Sequence, residues 1–400
     1  MYDLSSRLMS DVALARMVPN LDTFDAGTAR RVRLTVSCKD SDQIAKVDGA
    51  GGVREERGCR VQVMHNGLLV EAGGYFGDWM AEIIRVLRGH HEPQEERVFD
   101  QIVRRLAAEG GPGFMIEFGS FWTYYGLWFC RAVPSARVIA VEPDPAYLEV
   151  GRRNAALNDL SRSVTFVHAA IGDRPGQTMV FRAESDGREY AVEQCDLASV
   201  MRSSDLERVD LVLADVQGAE TTLLERATPI LTAGRVRFLV VSTHHHSISG
   251  DALTHQRALE QLTGLGAHVI CEHTIGESFS GDGLIAVSFD DRDREFVVEV
   301  SRARNKDSLF GEPEYSLATT RVELERARDE LQGCQRDAAT LQNRLGVLER
   351  NLDGLSRQFT DLNHQLQAIY ATKLWRWTRR PREGQARMMR FRAHGRHDDS

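Results

Sequence analysis

The chain has 400 residues, of which 42% are apolar and 27% charged, and its net charge is −8. That length and apolar content allow a large buried core and more than one domain, and they exclude a disordered protein, a collagen and a small disulfide scaffold. The charge is uneven: nine Lys and Arg stand against one acid between Lys373 and His397, a local +8, so the remainder carries −16. An acidic body with a basic end points to two kinds of partner.

The stretch 1–20 is broken by Asp3, Arg7, Asp11 and Arg16, and so lacks the apolar centre of a signal peptide. No apolar run approaches the ~20 residues of a bilayer span. Six cysteines are scattered without a CxxC pair, which reads as reduced thiols. The expected location is cytoplasmic, at most peripheral at the inner membrane face. Residues 1–111 read as a mixed α/β domain that could cover an acceptor. Strands are expected at 31–37 and 60–65, a hairpin at Asn66-Gly67, and helices at 79–87 and 95–108. Gly110-Gly111-Pro112-Gly113 then punctuates the chain.

From 112 to 300 the pattern changes. Apolar strand runs at 114–118, 137–141, 164–168, 209–214, 237–242, 268–271 and 284–289 alternate with helix-period stretches at 145–157, 219–231 and 251–263. Near-continuous apolar strands separated by helices predict a doubly wound, mostly parallel seven-stranded sheet of the α/β class, Rossmann-like, with its last strand reversed. Residues 315–372 read as a coiled coil. From Leu324 through Leu331, Leu345, Leu352 and Phe359 to Ile369, apolar or small residues recur at unbroken 3,4 spacing. At 1.5 Å per residue this seam is about 68 Å long. Gly333, Gly346 and Gly354 weaken the helix by up to ~1 kcal/mol each. A narrow seam predicts a homo-oligomer. In the tail, 373–400, Trp375 and Trp377 lie among Lys373, Arg376, Arg379 and Arg380, which suits an anionic membrane surface or a protein partner. The acidic body argues against nucleic acid.

In an open parallel sheet, ligands bind at the carboxyl ends of the strands. The first strand of the sheet runs Met115-Ile116-Glu117-Phe118 into Gly119-Ser120-Phe121-Trp122-Thr123-Tyr124, and the second ends Val141-Glu142-Pro143-Asp144. Gly119 permits a tight turn close to a ligand, and Glu142 stands where an acid accepts ribose hydroxyls. A pyrophosphate cradle needs further glycines, but Phe121 and Tyr124 stand at those positions. A ribose ligand without a pyrophosphate fits better. S-adenosylmethionine is such a ligand: Glu117 suits its positive groups, and the Trp122 face suits its sulfonium.

Residues 115–158, with His168-Ala169-Ala170-Ile171-Gly172-Asp173 and Asp215-Val216-Gln217-Gly218-Ala219-Glu220, resemble the FkbM family of S-adenosylmethionine-dependent methyltransferases. The most specific pieces are 141–145 with Arg153, Asn154 and Asn158 downstream, then the Asp-Val-x-Gly-Ala-Glu string. The family usually has Glu where Gln217 stands, and its first loop is usually Asp-x-Gly-Ala-Asn-x-Gly. Residues 89–96, Gly-His-His-Glu-Pro-Gln-Glu-Glu, resemble an upstream element of some relatives. The resemblance implies a class I methyltransferase sheet and a sugar, glycan or small-molecule hydroxyl as methyl acceptor. It also implies that Glu117, Gly119 and Ser120 line the methionine end, that Glu142 holds the ribose, that Gly172 and Asp173 sit by the adenine, and that Asp215 faces cofactor and acceptor.

Methyl transfer to oxygen needs alignment and a group that removes a proton. His244, His245 and His246 follow the fifth strand and supply the expected base, beside Asp215. His90 and His91 are the expected acceptor contacts. A divalent metal on His244, His246 and Asp215 is chemically feasible, but the spacing fits no ligand pattern, so none is assigned. Two other readings compete. A nicotinamide-dependent sugar oxidoreductase would share the sheet but needs the missing glycine cradle. A non-catalytic scaffold would retain a decayed enzyme domain on an oligomerising rod.

Overall fold

The computed structural model describes residues 17–303 apart from 20, then 311–372, 377 and 384–389. The stretch before 17 and most of the basic tail therefore lie outside the described residues. The chain forms two compact units, Met1–Leu309 and Phe310–Ser400. Among the described residues no helix is long and apolar enough to cross a membrane.

The first unit opens with helix α1 (Ala26–Ser37), where a strand was expected at 31–37. The Asp25 carboxylate caps it by accepting the Gly27 and Thr28 amides, and Val32, Thr35 and Val36 are buried at helical spacing. Capping and packing override the local alternation. A meander follows: β1 (Val53–Glu56), β2 (Cys59–Val63) and β3 (Leu69–Glu71). The expected hairpin joins β2 to β3, with Gly67 at φ +80. Helices α2 (Asp78–Val86) and α3 (Pro93–Glu109) complete this part close to their expected positions.

The sheet comprises β4 (Phe114–Phe118), β5 (Arg137–Val141), β6 (Val164–Val167), β10 (Val209–Ala214), β11 (Val236–Thr243), β12 (His268–His273) and β13 (Gly283–Ser288). Its order is β12-β13-β11-β10-β4-β5-β6. Neighbours are parallel except at β13, which is antiparallel to both β11 and β12. This is the doubly wound, seven-stranded architecture with a reversed strand. Alternate residues feed cores on opposite faces: Met115, Leu211, Leu213 and Val240 on one, Ile116, Val212, Leu239 and Val241 on the other. Val32, Met64, Ile83, Phe99 and Ile102 join the first of these cores, so the N-terminal elements pack continuously with the sheet and no core boundary falls at 111.

A second small sheet, β7 (Ala169–Ile171), β8 (Thr178–Arg182) and β9 (Glu189–Cys195), ordered β7-β9-β8, was not expected. Its strands are short, and β8 and β9 are partly exposed, so the apolar signal is weak. Helices α4 (Tyr124–Ala132), α5 (Pro145–Leu157), α6 (Leu197–Ser203), α7 (Glu220–Thr232), α8 (His246–Ser249) and α9 (Thr254–Gly264) flank the sheet or connect its strands. The second unit holds α10 (Gly311–Ala371), a single helix of 61 residues.

The Arg153, Asn154 and Asn158 group turns out to be a clamp. Asn154 is fully buried. It accepts the Glu71 amide at 2.8 Å and donates to the Trp122 carbonyl at 3.0 Å. Asn158 accepts the Leu69 amide at 2.9 Å and donates to its carbonyl at 2.7 Å. Helix α5 thus pins β3 and the aromatic loop together. Replacing Asn154 by Leu strands two buried backbone groups, so thermal or urea unfolding is expected to show a loss of about 2 kcal/mol or more.

Candidate active site

The sheet order reverses between β4 and β10, and the loops leaving those two strands meet. Gly119 has φ +73, and a Cβ there would lie 1.7 Å from the Asp215 carbonyl oxygen, so only glycine permits the crossing. The Gly119 and Ser120 amides donate to the Val141 carbonyl at 2.9 and 3.0 Å. The Phe121 amide donates to Glu142 Oε2, and the Asp144 amide to Glu142 Oε1, each at 2.9 Å. Each oxygen of Glu142 thus holds one backbone donor and keeps acceptor capacity for another.

Phe121 and Thr123 also have positive φ, 38° and 59°, a costly conformation for side chains of this size. Aromatic packing holds the loop: Phe121 stacks on Tyr147 with ring centroids 3.5 Å apart, and Trp122 on Tyr75 at 4.5 Å. Together these elements surround a cavity of about 570 Å3.

Its walls include Glu117, Gly119, Ser120, Trp122 and Glu142 from the expected cofactor set, along with Asp215 and His91. Gly172 and Asp173 lie just beyond it. Gly172 packs against the Gln194 side chain, while Asp173 is exposed. The wall there is made instead by Ala169, Ala170 and Ile171, with Met179 and Phe181 from β8. His245 and His246 are exposed at the start of α8 and do not line the cavity. His90 is buried behind the wall, paired with Glu96 and stacked on His65 at 4.3 Å. Sequence reasoning missed Tyr75 and Phe76, which come from an irregular turn without periodicity. It also gave no role to Glu92, which figures only within the 89–96 string, to Tyr125, which follows the first loop, or to Tyr147, which reads as an ordinary helix residue.

Buried charge is arranged with care. Burial pushes Glu117 well above the usual carboxylate range and Glu142 up to about 7. Burial opposes a charged His244, yet Asp215 and Glu220 outweigh it and hold the ring protonated up to about 11. Its Nδ1 lies 2.5 Å from Glu220 Oε1, which also accepts the Gly218 amide at 2.9 Å. Its Nε2 lies 3.0 Å from Asp215 Oδ1. That contact is out of line for a hydrogen bond, so Oδ1 is buried with acceptor capacity unused. His244 is therefore a donor clamp and does not fit the part of base expected of it. Burial likewise opposes a charged His91, but Glu92 and Glu96 keep it protonated up to about 10.

Among the described residues, one set of nitrogen and oxygen atoms lies close enough to suggest a metal: His65, His90 and Glu96, within 4.8 Å of one another. An ion must lie near the plane of each imidazole that binds it. The two rings are stacked with planes only 16° apart, so their lone pairs do not converge. Hydrogen bonds account for the cluster instead: His65 Nδ1 pairs with the Tyr124 hydroxyl at 2.9 Å and His90 Nδ1 with Glu96.

Residues 117–269 match the model of the Methyltransferase FkbM domain. This part of the chain is an FkbM methyltransferase domain. Among curated proteins, methyltransferase sdnD of Sordaria araneosa is 26% identical over 153 aligned positions, covering 28% of this chain and 59% of that protein. The chain thus spans less than two thirds of that relative's length. Similar solved structures are distant. Precorrin-6y C5,15-methyltransferase of Geobacter metallireducens is 17% identical, with a TM-score of 0.31 over 48% of this chain and 87% of that one. M. capricolum TrmK, solved with S-adenosyl-homocysteine, is 10% identical, with a TM-score of 0.32 over 50% and 74%. The FkbM domain takes in Glu117, Glu142, Asp215, Glu220 and His244, whereas Tyr75, His91 and Glu92 come from the segment before it.

At pH 8 an ordinary histidine is neutral, but His244 is expected to show the 15N signature of a doubly protonated ring. A neutral ring at that pH would remove the clamp. Because its folded-state value is raised, its contribution to stability is complete below pH ~6.5 and fades as the pH rises toward about 11.

Proposed function

We propose that the first unit is an S-adenosylmethionine-dependent O-methyltransferase whose acceptor is a hydroxyl of a sugar, glycan or secondary metabolite. The observation that carries this reading is one cavity that brings the strand-end acids Glu117, Glu142 and Asp215 and the Ala169–Ile171 wall together with Tyr75, Trp122 and Glu92.

The residues present suit the cofactor. Gly119 leaves a space that any Cβ would fill, Ser120 Oγ is buried without a partner, and Glu142 retains acceptor capacity on both oxygens. Phe121 and Tyr124 stand where a pyrophosphate cradle needs glycine, which disfavours a dinucleotide. Glu142 would hold the ribose hydroxyls, with Glu117 and Ser120 at the methionine end. Bound S-adenosylmethionine supplies an electrophilic methyl group on a sulfonium.

The chain's own contribution is alignment, removal of a proton and exclusion of water. Asp215 accepts the acceptor hydroxyl's proton on Oδ2, the carboxylate oxygen turned away from His244, while Oδ1 stays buried against that ring. His244, fixed by Glu220, orients that carboxylate and balances its charge. The Tyr75 and Trp122 rings offer apolar faces to the CH groups of a sugar ring, while Glu92 accepts its hydroxyls. Burial opposes the charged form of Glu92, but His91 keeps it ionised for that purpose.

Two measurements test this. Asp215→Asn is expected to lower the turnover of labelled methyl onto an acceptor by about 10²–10⁴-fold while S-adenosylhomocysteine still binds within a few-fold. Equal loss of both would give Asp215 a binding role. Glu142 is pushed up to about 7, and its ionised form is the better acceptor. The S-adenosylhomocysteine dissociation constant should therefore rise roughly tenfold from pH 8 to pH 6 and lose that dependence in Glu142→Gln. Calorimetric binding of NAD and not of S-adenosylhomocysteine would end the reading.

A further inference from the structure

Helix α10 carries a stripe with no cover among the described residues. Its apolar positions alternate by three and four from Leu324 to Ile369, and the large ones are all exposed, Leu352 by 70% and Phe359 by 74%. Assigning Leu324 to heptad position a places Leu331, Ala338, Leu345, Leu352, Phe359 and Leu366 at a as well. Ala327, Cys334, Leu341, Leu348, Leu355, Leu362 and Ile369 then fall at d. Gly333, Gly346 and Gly354 fall at b or c, off the contact line. A stripe about 68 Å long and ~10 Å wide presents roughly 700 Å2, more than monomers usually expose. That is close to the ~800 Å2 each partner gives to a stable interface.

The flanking charges choose the occupant and its direction. In a parallel pair, each g residue faces the e residue five places on in the other helix. Glu323 then meets Arg328, and Arg344 meets Glu349, both attractive. The other pairs, Glu330 with Gln335, Asp337 with Gln342, Asn351 with Ser356 and Gln358 with Asn363, hold no like charges. A centred antiparallel pair sets g against g instead, so the acidic Glu323, Glu330 and Asp337 face neutral Gln365, Gln358 and Asn351 and gain nothing. A seam two positions wide, with polar e and g flanks, favours the fewest strands.

We propose that a second copy of this chain covers the α10 seam, parallel and in register, as a two-stranded coiled coil. The in-register layers set Cys334 of one chain against Cys334 of the other at d, within disulfide reach. The antiparallel arrangement sets it against Phe359. Cys334 thus reports direction and register together.

The test uses the full chain with Cys59→Ser, which removes the other exposed thiol. Sedimentation equilibrium under reducing conditions is expected to give twice 44.9 kDa. Mild oxidation with diamide should then produce a covalent dimer on a non-reducing gel, absent when Cys334→Ser is added. Leu352→Asp should weaken association on the order of 100-fold by setting two carboxylates against each other in the seam. Its circular dichroism checks that the first unit remains folded. A monomer or trimer mass overturns the proposal, as does a dimer that diamide fails to link through Cys334. None of these readouts depends on methyl transfer.

Discussion

Where the loop after β4 crosses the loop after β10, backbone lies so close to backbone that no side chain fits at 119. This one steric constraint organises the site. It forces the chain back over β5, where the Val141 carbonyl and the Glu142 carboxylate take three successive amides. It also brings Asp215 alongside Ser120 and Glu117. The positive φ values at Phe121 and Thr123 follow from that path. The cost is met by ring stacking and by the Asn154 clamp, so the strained loop is held by contacts from both the sheet domain and the segment before it.

The second organising principle is electrostatic. Carboxylates crowd the cavity, and burial raises Glu117 and Glu142, which have no cationic partner. Others are set against protonated histidines: Asp215 and Glu220 against His244, Glu92 and Glu96 against His91. Each pair leaves the burial cost of its ions offset by close opposite charge. Burial thus raises the carboxyls with no cation beside them, while His91 helps to hold Glu92 and Glu96 below the ordinary carboxylate range.

Much of the architecture was legible in residue order. Seven near-continuous apolar runs spaced by helix-length segments admit few folds besides a doubly wound sheet, and heptad spacing survives in α10 as one unbroken helix. Gly119 and Glu142 were legible for a local reason: a turn that needs glycine and a strand end that needs an acid are written in single positions. The β7–β9 sheet was not, because short, half-exposed strands carry little apolar alternation. The stretch 31–37 misled because alternation there coincides with helical spacing, and the Asp25 cap with burial decided for the helix.

Strand periodicity, turn chemistry and heptad spacing are properties of neighbours along the chain, and they alone set the class of fold and the strand ends where chemistry collects. Which of three successive histidines meets a carboxylate, whether it holds or takes a proton, and that Tyr75 and Glu92 reach the cavity from far upstream depend on contacts between residues distant in sequence, such as His244 with Glu220 across 24 residues and Tyr125 with Glu92 across 33. Those contacts, and the pKa shifts that burial imposes on them, exist only once the sheet has closed around them.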